Sequence, residues 1–347
     1  MRFLKPIIIN PKRIFWLGII GIGILSVRPV FADHTLWQRY NRSGVQHLQA
    51  AEYAPAEKDF QAGLAEAFKS GEDSLDLAIS FNNIGELYRL QGQFNEAGPY
   101  YEKTLAIQEK LLDPNSLDLA LTLNNLGVLY LNEHKTSQAE AMLTRALAIR
   151  QKVLPPDQTD IAETENNLAE LYRQQGRFND ALFMYQKALQ IQEKTTGKSS
   201  EADLGLTLNN LGMLYLNQGD SEAALKHFER ALALRKKAFG DDHPSVATTL
   251  NNMGVTYFKQ GNLAQAELYM HQALDIQEKT LNPDNPSLIK TLDNLAEVYR
   301  SDKKYDEAKT YYQRILSLEE KILPPDDPAL KILQDRINAL TGTSQLE

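Results

Sequence analysis

Between Leu208 and Ala238 the apolar positions fall into two periodic runs separated by a polar turn. Leu208, Leu211, Gly212 and Tyr215 stand at i, i+3, i+4 and i+7, the spacing of one helical face. Gln218-Gly219-Asp220 ends that helix in a turn. Ala224, Phe228, Ala231 and Leu232 then mark the buried stripe of a second helix, which runs through Leu234 towards Ala238. Gly240-Asp241-Asp242-His243-Pro244 breaks it, and Pro244 suits the first turn of a following helix. Small Gly212 and Ala224 let two helix axes approach, with Tyr215 and Phe228 filling the space around the contact. Neither helix buries its stripe alone, so the pattern predicts helix pairs that stack.

The pattern returns along the chain. The core Asn/Asp-Asn-(Ile/Leu/Met)-(Gly/Ala)-x-x-Tyr starts at Asn82, Asn124, Asn166, Asn209, Asn251 and Asp293, at steps of 42, 42, 43, 42 and 42. Fifteen residues after each start stands alanine, from Ala97 to Ala308, and twenty-three after it leucine, from Leu105 to Leu316. At offset nineteen there is a large side chain: Tyr101, Leu143, Tyr185, Phe228, Met270, Tyr312. Offset twenty-eight is lysine in all six, Lys110, Lys152, Lys194, Lys237, Lys279 and Lys321, near a helix end where a cation offsets the carbonyl dipole. A degenerate copy read from Asn41 (Gly44, Ala56, Phe60, Leu64, Lys69) precedes them, as expected of an end repeat.

A period of this length signals a solenoid, so the length of 347 residues is assigned to one elongated unit rather than two domains. Residues 33–340 are expected to hold about seven helix pairs and a C-terminal capping helix carrying Leu330, Leu333, Ile337 and Leu340, followed by a flexible tail at 341–347. Gly98-Pro99 falls early in a second helix, and a local distortion is expected there.

Residues 1–32 break the pattern. Arg2, Lys5, Lys12 and Arg13 precede an apolar run from Ile14 to Val27 and then Pro29-Val30-Phe31-Ala32, the layout of a secretory signal cleaved after Ala32. The run is short of the roughly 20 residues that cross a bilayer, which favours cleavage over an uncleaved membrane anchor. The expected location is therefore periplasmic or extracellular, with membrane anchoring by this segment the alternative. Removing its five basic residues leaves 32 basic against 45 acidic side chains, a net charge of −13. So acidic a body disfavours nucleic acid and anionic lipid as partners. The absence of cysteine removes disulfides, thiolate metal sites and cysteine nucleophiles.

The stretch Ala231 to Asn252 reads Ala-Leu-Ala-Leu-Arg-Lys-Lys-Ala-Phe-Gly-Asp-Asp-His-Pro-Ser-Val-Ala-Thr-Thr-Leu-Asn-Asn. With the repeat core it resembles tetratricopeptide repeats of the long, 42-residue kind found in kinesin light chains, over about residues 35–340. The resemblance implies an all-α fold, a right-handed superhelical solenoid of antiparallel helix pairs. It implies a concave surface lined by the first helix of each pair. An export signal does not suit a kinesin subunit, so only the architecture carries over.

On a helical wheel Asn209, Met213 and Leu216 lie together beside the buried stripe, on the flank facing the inside of such a superhelix. The equivalent trios are Asn82/Glu86/Arg89, Asn124/Val128/Leu131, Asn166/Glu170/Arg173, Asn251/Val255/Phe258 and Asp293/Glu297/Arg300. The candidate peptide groove is thus Asn82, Arg89, Asn124, Val128, Leu131, Asn166, Arg173, Asn209, Met213, Leu216, Asn251, Val255, Phe258 and Arg300. Leading asparagines have the donors and acceptor to bond an extended backbone, the role implied for matching residues of kinesin light chains. Apolar pairs, above all Met213/Leu216 and Val255/Phe258, would anchor peptide side chains. Against this stand plainer readings: the second asparagine of each motif as an inter-helix hydrogen-bonding group, the Glu/Arg pairs as i, i+3 ion pairs on a solvated face, and the apolar pairs as inter-repeat packing.

No histidine stands at metal-ligand spacing, and no phosphate loop or nucleophile elbow occurs. No enzyme activity, cofactor, metal or small-molecule substrate is expected. The expected function is an exported scaffold or adaptor binding an extended segment of another protein, with a self-associating envelope scaffold as the alternative.

Overall fold

Among the described residues fifteen α-helices form where the 3.6-residue apolar period runs, and they stop where glycine, proline or Asx turns interrupt it. The computed structural model describes residues 36–195 and 197–343, whose regular structure is entirely helical. These residues fall into two compact units, 36–195 and 197–343, each described by itself. The repeat period alone gives one continuous array. The division coincides with the single 43-residue step, between Gln192 at the end of one second helix and Lys198 at the start of the next first helix. The expected export signal at residues 1–32 lies outside the described residues.

The first unit holds four pairs: α1 (Leu36–Gln49) with α2 (Tyr53–Ala67), α3 (Leu75–Leu90) with α4 (Phe94–Leu111), α5 (Leu117–Asn132) with α6 (Thr136–Val153), and α7 (Thr159–Gln174) with α8 (Phe178–Gln192). The second holds α9 (Lys198–Gln218) with α10 (Ser221–Phe239), α11 (Pro244–Lys259) with α12 (Leu263–Thr280), α13 (Ile289–Ser301) with α14 (Tyr305–Glu319), and the unpaired α15 (Pro328–Thr343). Within each unit every helix packs on its pair partner and on the next helix along the chain. As expected of a cap, α15 covers α14 with Leu333, Ile337 and Leu340 buried. It continues to Thr343, so residues 341–343, expected in the tail, are helical, and 344–347 lie outside the described residues.

The residue at offset three from each repeat start decides how closely a pair packs. A Cβ placed on Gly127 or Gly212 would lie 2.5 Å from Leu143 or Phe228, and one on Gly254 would lie 2.6 Å from Met270. The large residue of the second helix therefore rests directly on the backbone of the first. The turn inside each pair places one residue in the left-handed region at a fixed register: Gly92, Gly176, Gly219 and Gly261, but also Ala51, His134 and Lys303 at φ near 60°. Glycine meets this demand without strain; the other three do not.

Pro99 does not interrupt α4, which runs from Phe94 to Leu111 around it. Its fixed φ is already helical, and its missing N–H leaves the Asn95 carbonyl without its intrahelical donor. Gly98 beside it is buried, with Leu129 of the next pair packed where a side chain would start.

Candidate functional site

The asparagines offered as a peptide ladder are inside the stack. Asn82 and Asn124 are completely buried, and Asn166, Asn209 and Asn251 are at most 6% exposed. Asn41, Asn124, Asn209 and Asn251 find partners in the following repeat. In the first unit Asn83 Nδ2 donates to Asn41 Oδ1 at 2.9 Å and Asn167 Nδ2 to Asn124 Oδ1 at 3.1 Å. In the second, Asn252 Nδ2 donates to Asn209 Oδ1 at 3.2 Å and Asn294 Nδ2 to Asn251 Oδ1 at 3.0 Å. Asn124 is used at both ends, since its Nδ2 donates to Glu163 Oε1 at 3.1 Å. The ladder is real, but it ties one first helix to the next. The rung between Asn82 and Asn125 is not made, and both Asn82 amide atoms and Asn125 Nδ2 are buried without a partner.

The three Glu/Arg pairs prove to be parts of triads. Arg89 forks onto Glu86 through Nε and Nη2 at 2.7 and 2.6 Å, and the Tyr101 hydroxyl donates to the same carboxylate at 2.7 Å. Glu170 receives Arg173 at 2.8 and 2.6 Å and Tyr185 at 3.1 Å. Glu297 receives Arg300 and Tyr312. All three tyrosines are fully buried, so each hydroxyl needs the acceptor it finds. Burial opposes the charge on Arg89, yet the Glu86 carboxylate overrides it and holds the guanidinium above its ordinary value. Burial and then the Glu86 charge push the Tyr101 phenol well up. The signal for this was in the sequence: tyrosine occurs at offset nineteen only in the three repeats with Glu and Arg at offsets four and seven. Val128/Leu131, Met213/Leu216 and Val255/Phe258 accompany Leu143, Phe228 and Met270 instead. The glycine at offset three follows the same division. The three apolar repeats all keep it, whereas Ala169 and Ala296 replace it in two tyrosine repeats.

Of the apolar groove candidates, Val128, Leu131 and Leu216 are buried, which corrects their placement on an open surface; they pack into the stack. Met213, Val255 and Phe258 are half-buried, as are Arg89 and Arg173, and Arg300 is exposed. Met213 and Val255 lie against the cluster of Leu216, Phe228 and Met253, so they share one first-helix face of the second unit. The wheel reading missed the position three residues before each start. Ile79 and Leu121 in the first unit, and Leu206 in the second, are half-buried there and extend the same flank by one turn. Their signal was the i−3 spacing from the leading asparagine.

The repeated lysine does more than face its helix dipole. Lys110 meets Asp73 at 2.9 Å in the first unit; in the second, Lys279 meets Asp242 at 3.1 Å and Lys321 meets Asp284 at 2.7 Å. These exposed pairs link neighbouring repeats at little net gain. Two arginines at offset twenty-six are buried cross-repeat ties. Arg150 Nη1 donates to Asp160 O and Thr164 Oγ1, both at 2.6 Å, and Arg235 Nη1 to Ser245 O and Thr249 Oγ1 at 2.9 and 2.7 Å. Burial lowers the Arg235 guanidinium to about 10. His243 is explained by its loop: its Nδ1 accepts the Ser245 N–H at the start of α11, and its ring stacks on Phe239. Among the described residues no group of three or more His, Asp or Glu is placed to hold a metal, and no helix is long and apolar enough to cross a membrane.

A tetratricopeptide repeat family model matches residues 76–152, 118–194, 203–279 and 253–321. No curated protein is significantly similar to the chain in sequence. Among solved structures, BtubC (BKLC) from P. vanneervenii is 24% identical, with 72% of this chain and 93% of that one covered and a TM-score of 0.51. The apo form of RapI is 16% identical over 83% of this chain and 99% of its own, with a TM-score of 0.65. The apo form of the quorum sensor NprR from B. thuringiensis is 16% identical over 90% and 89%, with a TM-score of 0.60. At these identities the likeness is one of fold.

Proposed function

The chain belongs to the tetratricopeptide repeat family, with long, kinesin light chain-like repeats that serve in general as protein-interaction scaffolds, and from that premise we propose that it is an exported adaptor binding an extended segment of another protein. The observation that carries this reading is the set of half-buried apolar residues on consecutive first helices, Met213 and Val255 against one core cluster and Val255 and Phe258 against the next. Side chains that the fold leaves partly open, beside a rigid core, are the material of binding anchors. The buried asparagines then act at one remove. They fix the spacing of the first helices, and so the spacing of the anchors, instead of bonding the peptide backbone. Export rests on the basic-then-apolar layout of residues 1–32.

The test is an envelope extract passed over immobilised residues 33–347 and over the Met213→Glu/Phe258→Glu variant. Loss of a specific partner from a variant that keeps its helicity supports the reading; equal retention by both defeats it. The N-terminal sequence of the chain recovered outside the cytoplasm tests export, which predicts a start at Asp33. Self-association is the second reading, and sedimentation of the purified chain at micromolar concentration separates the two.

A further inference from the structure

Register −1, the residue before each repeat start, is a core position: Phe81 and Leu123 in the first unit, Leu208, Leu250 and Leu292 in the second, all buried. In the α7 repeat the same register carries Glu165, and it is just as deeply placed, at 2% exposure. One of its oxygens, Oε2, is buried without a hydrogen-bond partner among the described residues. Three elements pack on α7. Lys187 of α8, whose ammonium lies over the Phe183 ring, and Gln151 of α6 both favour the charged form of the carboxyl. Arg150, also on α6, is committed to Asp160, Glu163 and Thr164 on the other flank of α7. The third, α5, meets α7 through Asn124 and Asn167.

We propose that Glu165 is a proton-operated latch in the α6–α7–α8 seam, closed when the carboxyl is neutral and loosened when it ionises. A neutral carboxylic acid carries no charge to be stripped of water and packs where the sibling repeats hold leucine or phenylalanine. A carboxylate there leaves a charge-bearing oxygen bare, while the Lys187 ammonium lies over the Phe183 ring. A buried, incompletely paired charge is costly, so the ionised side chain draws the seam open towards water. Burial raises this carboxyl from the ordinary 4.5 to about 7, with Lys187 and Gln151 pulling the other way. A raised carboxyl means that the folded state holds its proton more tightly than the unfolded chain. Its stabilisation is complete below 4.5 and is lost as the pH rises through about 7. The latch is independent of what the first-helix faces bind.

The experiment is a ¹³C-carboxyl titration of the glutamate-labelled chain, with Glu165 assigned from Glu165→Gln. Hydrogen exchange of α6–α8 followed from the ordinary carboxylate value of 4.5 to above neutrality, corrected for intrinsic rates, accompanies it. The expected results are a Glu165 midpoint near neutrality, raised further in Lys187→Met, and seam opening that grows by up to about tenfold per pH unit from the ordinary carboxylate value up to that midpoint and levels off above it in the unmodified chain, but not in Glu165→Gln. A Glu165 midpoint in the ordinary carboxylate range, or the same pH response in Glu165→Gln, overturns the proposal. The titration reads the unmodified chain, so the outcome does not depend on how well Glu165→Leu or other apolar variants fold.

Discussion

Replacing Tyr101 by phenylalanine removes one oxygen from a completely buried ring and takes a donor from Glu86, whose side chain is only 4% exposed. A hydrogen bond to a charged group contributes about 1.5–3 kcal/mol. Arg89 still forks onto the carboxylate, so Glu86 is not stripped, and a loss of about 2 kcal/mol is expected. Tyr312→Phe removes the equivalent hydroxyl from Glu297, whose side chain is 30% exposed and open to water as a substitute. The loss there should be about 0.5–1 kcal/mol. A third variant separates the bond from the ring. Changing Glu86→Val, Arg89→Leu and Tyr101→Leu together installs the set that Val128, Leu131 and Leu143 form two helices later. Gly85 already gives the room that Leu143 finds over Gly127. Replacing a satisfied buried polar group by a matched apolar set is often close to neutral, so the triple variant should be more stable than Tyr101→Phe alone. Urea unfolding, with hydrogen-exchange protection of α3 and α4 as the local readout, measures all three. Equal losses at Tyr101 and Tyr312, or a triple variant worse than the single one, would show that the triads are not the units described.

Gly212→Ala should cost about 1–3 kcal/mol, because its Cβ would meet Phe228 at 2.5 Å, whereas Gly85→Ala, facing Tyr101 at 3.2 Å, should cost visibly less by thermal unfolding. Lys303→Gly should stabilise by up to about 1 kcal/mol in the same assay, since it relieves a left-handed residue with a side chain. Asn294→Ala strands the buried Asn251 carbonyl and should cost about 1–3 kcal/mol. Lys279→Ala, cutting an exposed pair, should change the stability by less than about 0.5 kcal/mol in the same assay.

Helix pairing was legible because a 42-residue period repeats both stripes and the turn between them. The cap was legible from Leu333, Ile337 and Leu340 at helical spacing after the last copy. The fate of the asparagines was only half legible. A wheel places Asn209 beside the buried stripe, but it carries no information about the next repeat, and Asn252 arrives from there to bond it. The same blindness put Leu216 on an open flank, although the neighbouring repeat covers it with Met253. The Tyr–Glu–Arg triads were encoded but needed three offsets to be compared at once across repeats. Glu165 stood out less still, because its register is defined by what the other repeats carry and not by any motif.

The central claim, that the first-helix face of Met213, Val255 and Phe258 takes a protein partner, is tested most directly by pairing two surface variants. Met213→Glu/Phe258→Glu alters that face, and Phe183→Glu/Leu268→Glu alters exposed apolar residues of second helices, 54% and 48% accessible. Binding of the captured partner to each variant, measured by titration calorimetry beside circular dichroism, is the decisive measurement. The account predicts that the first pair abolishes binding and the second leaves it unchanged. Binding that survives the first pair and fails with the second would place recognition on the other helices and contradict it.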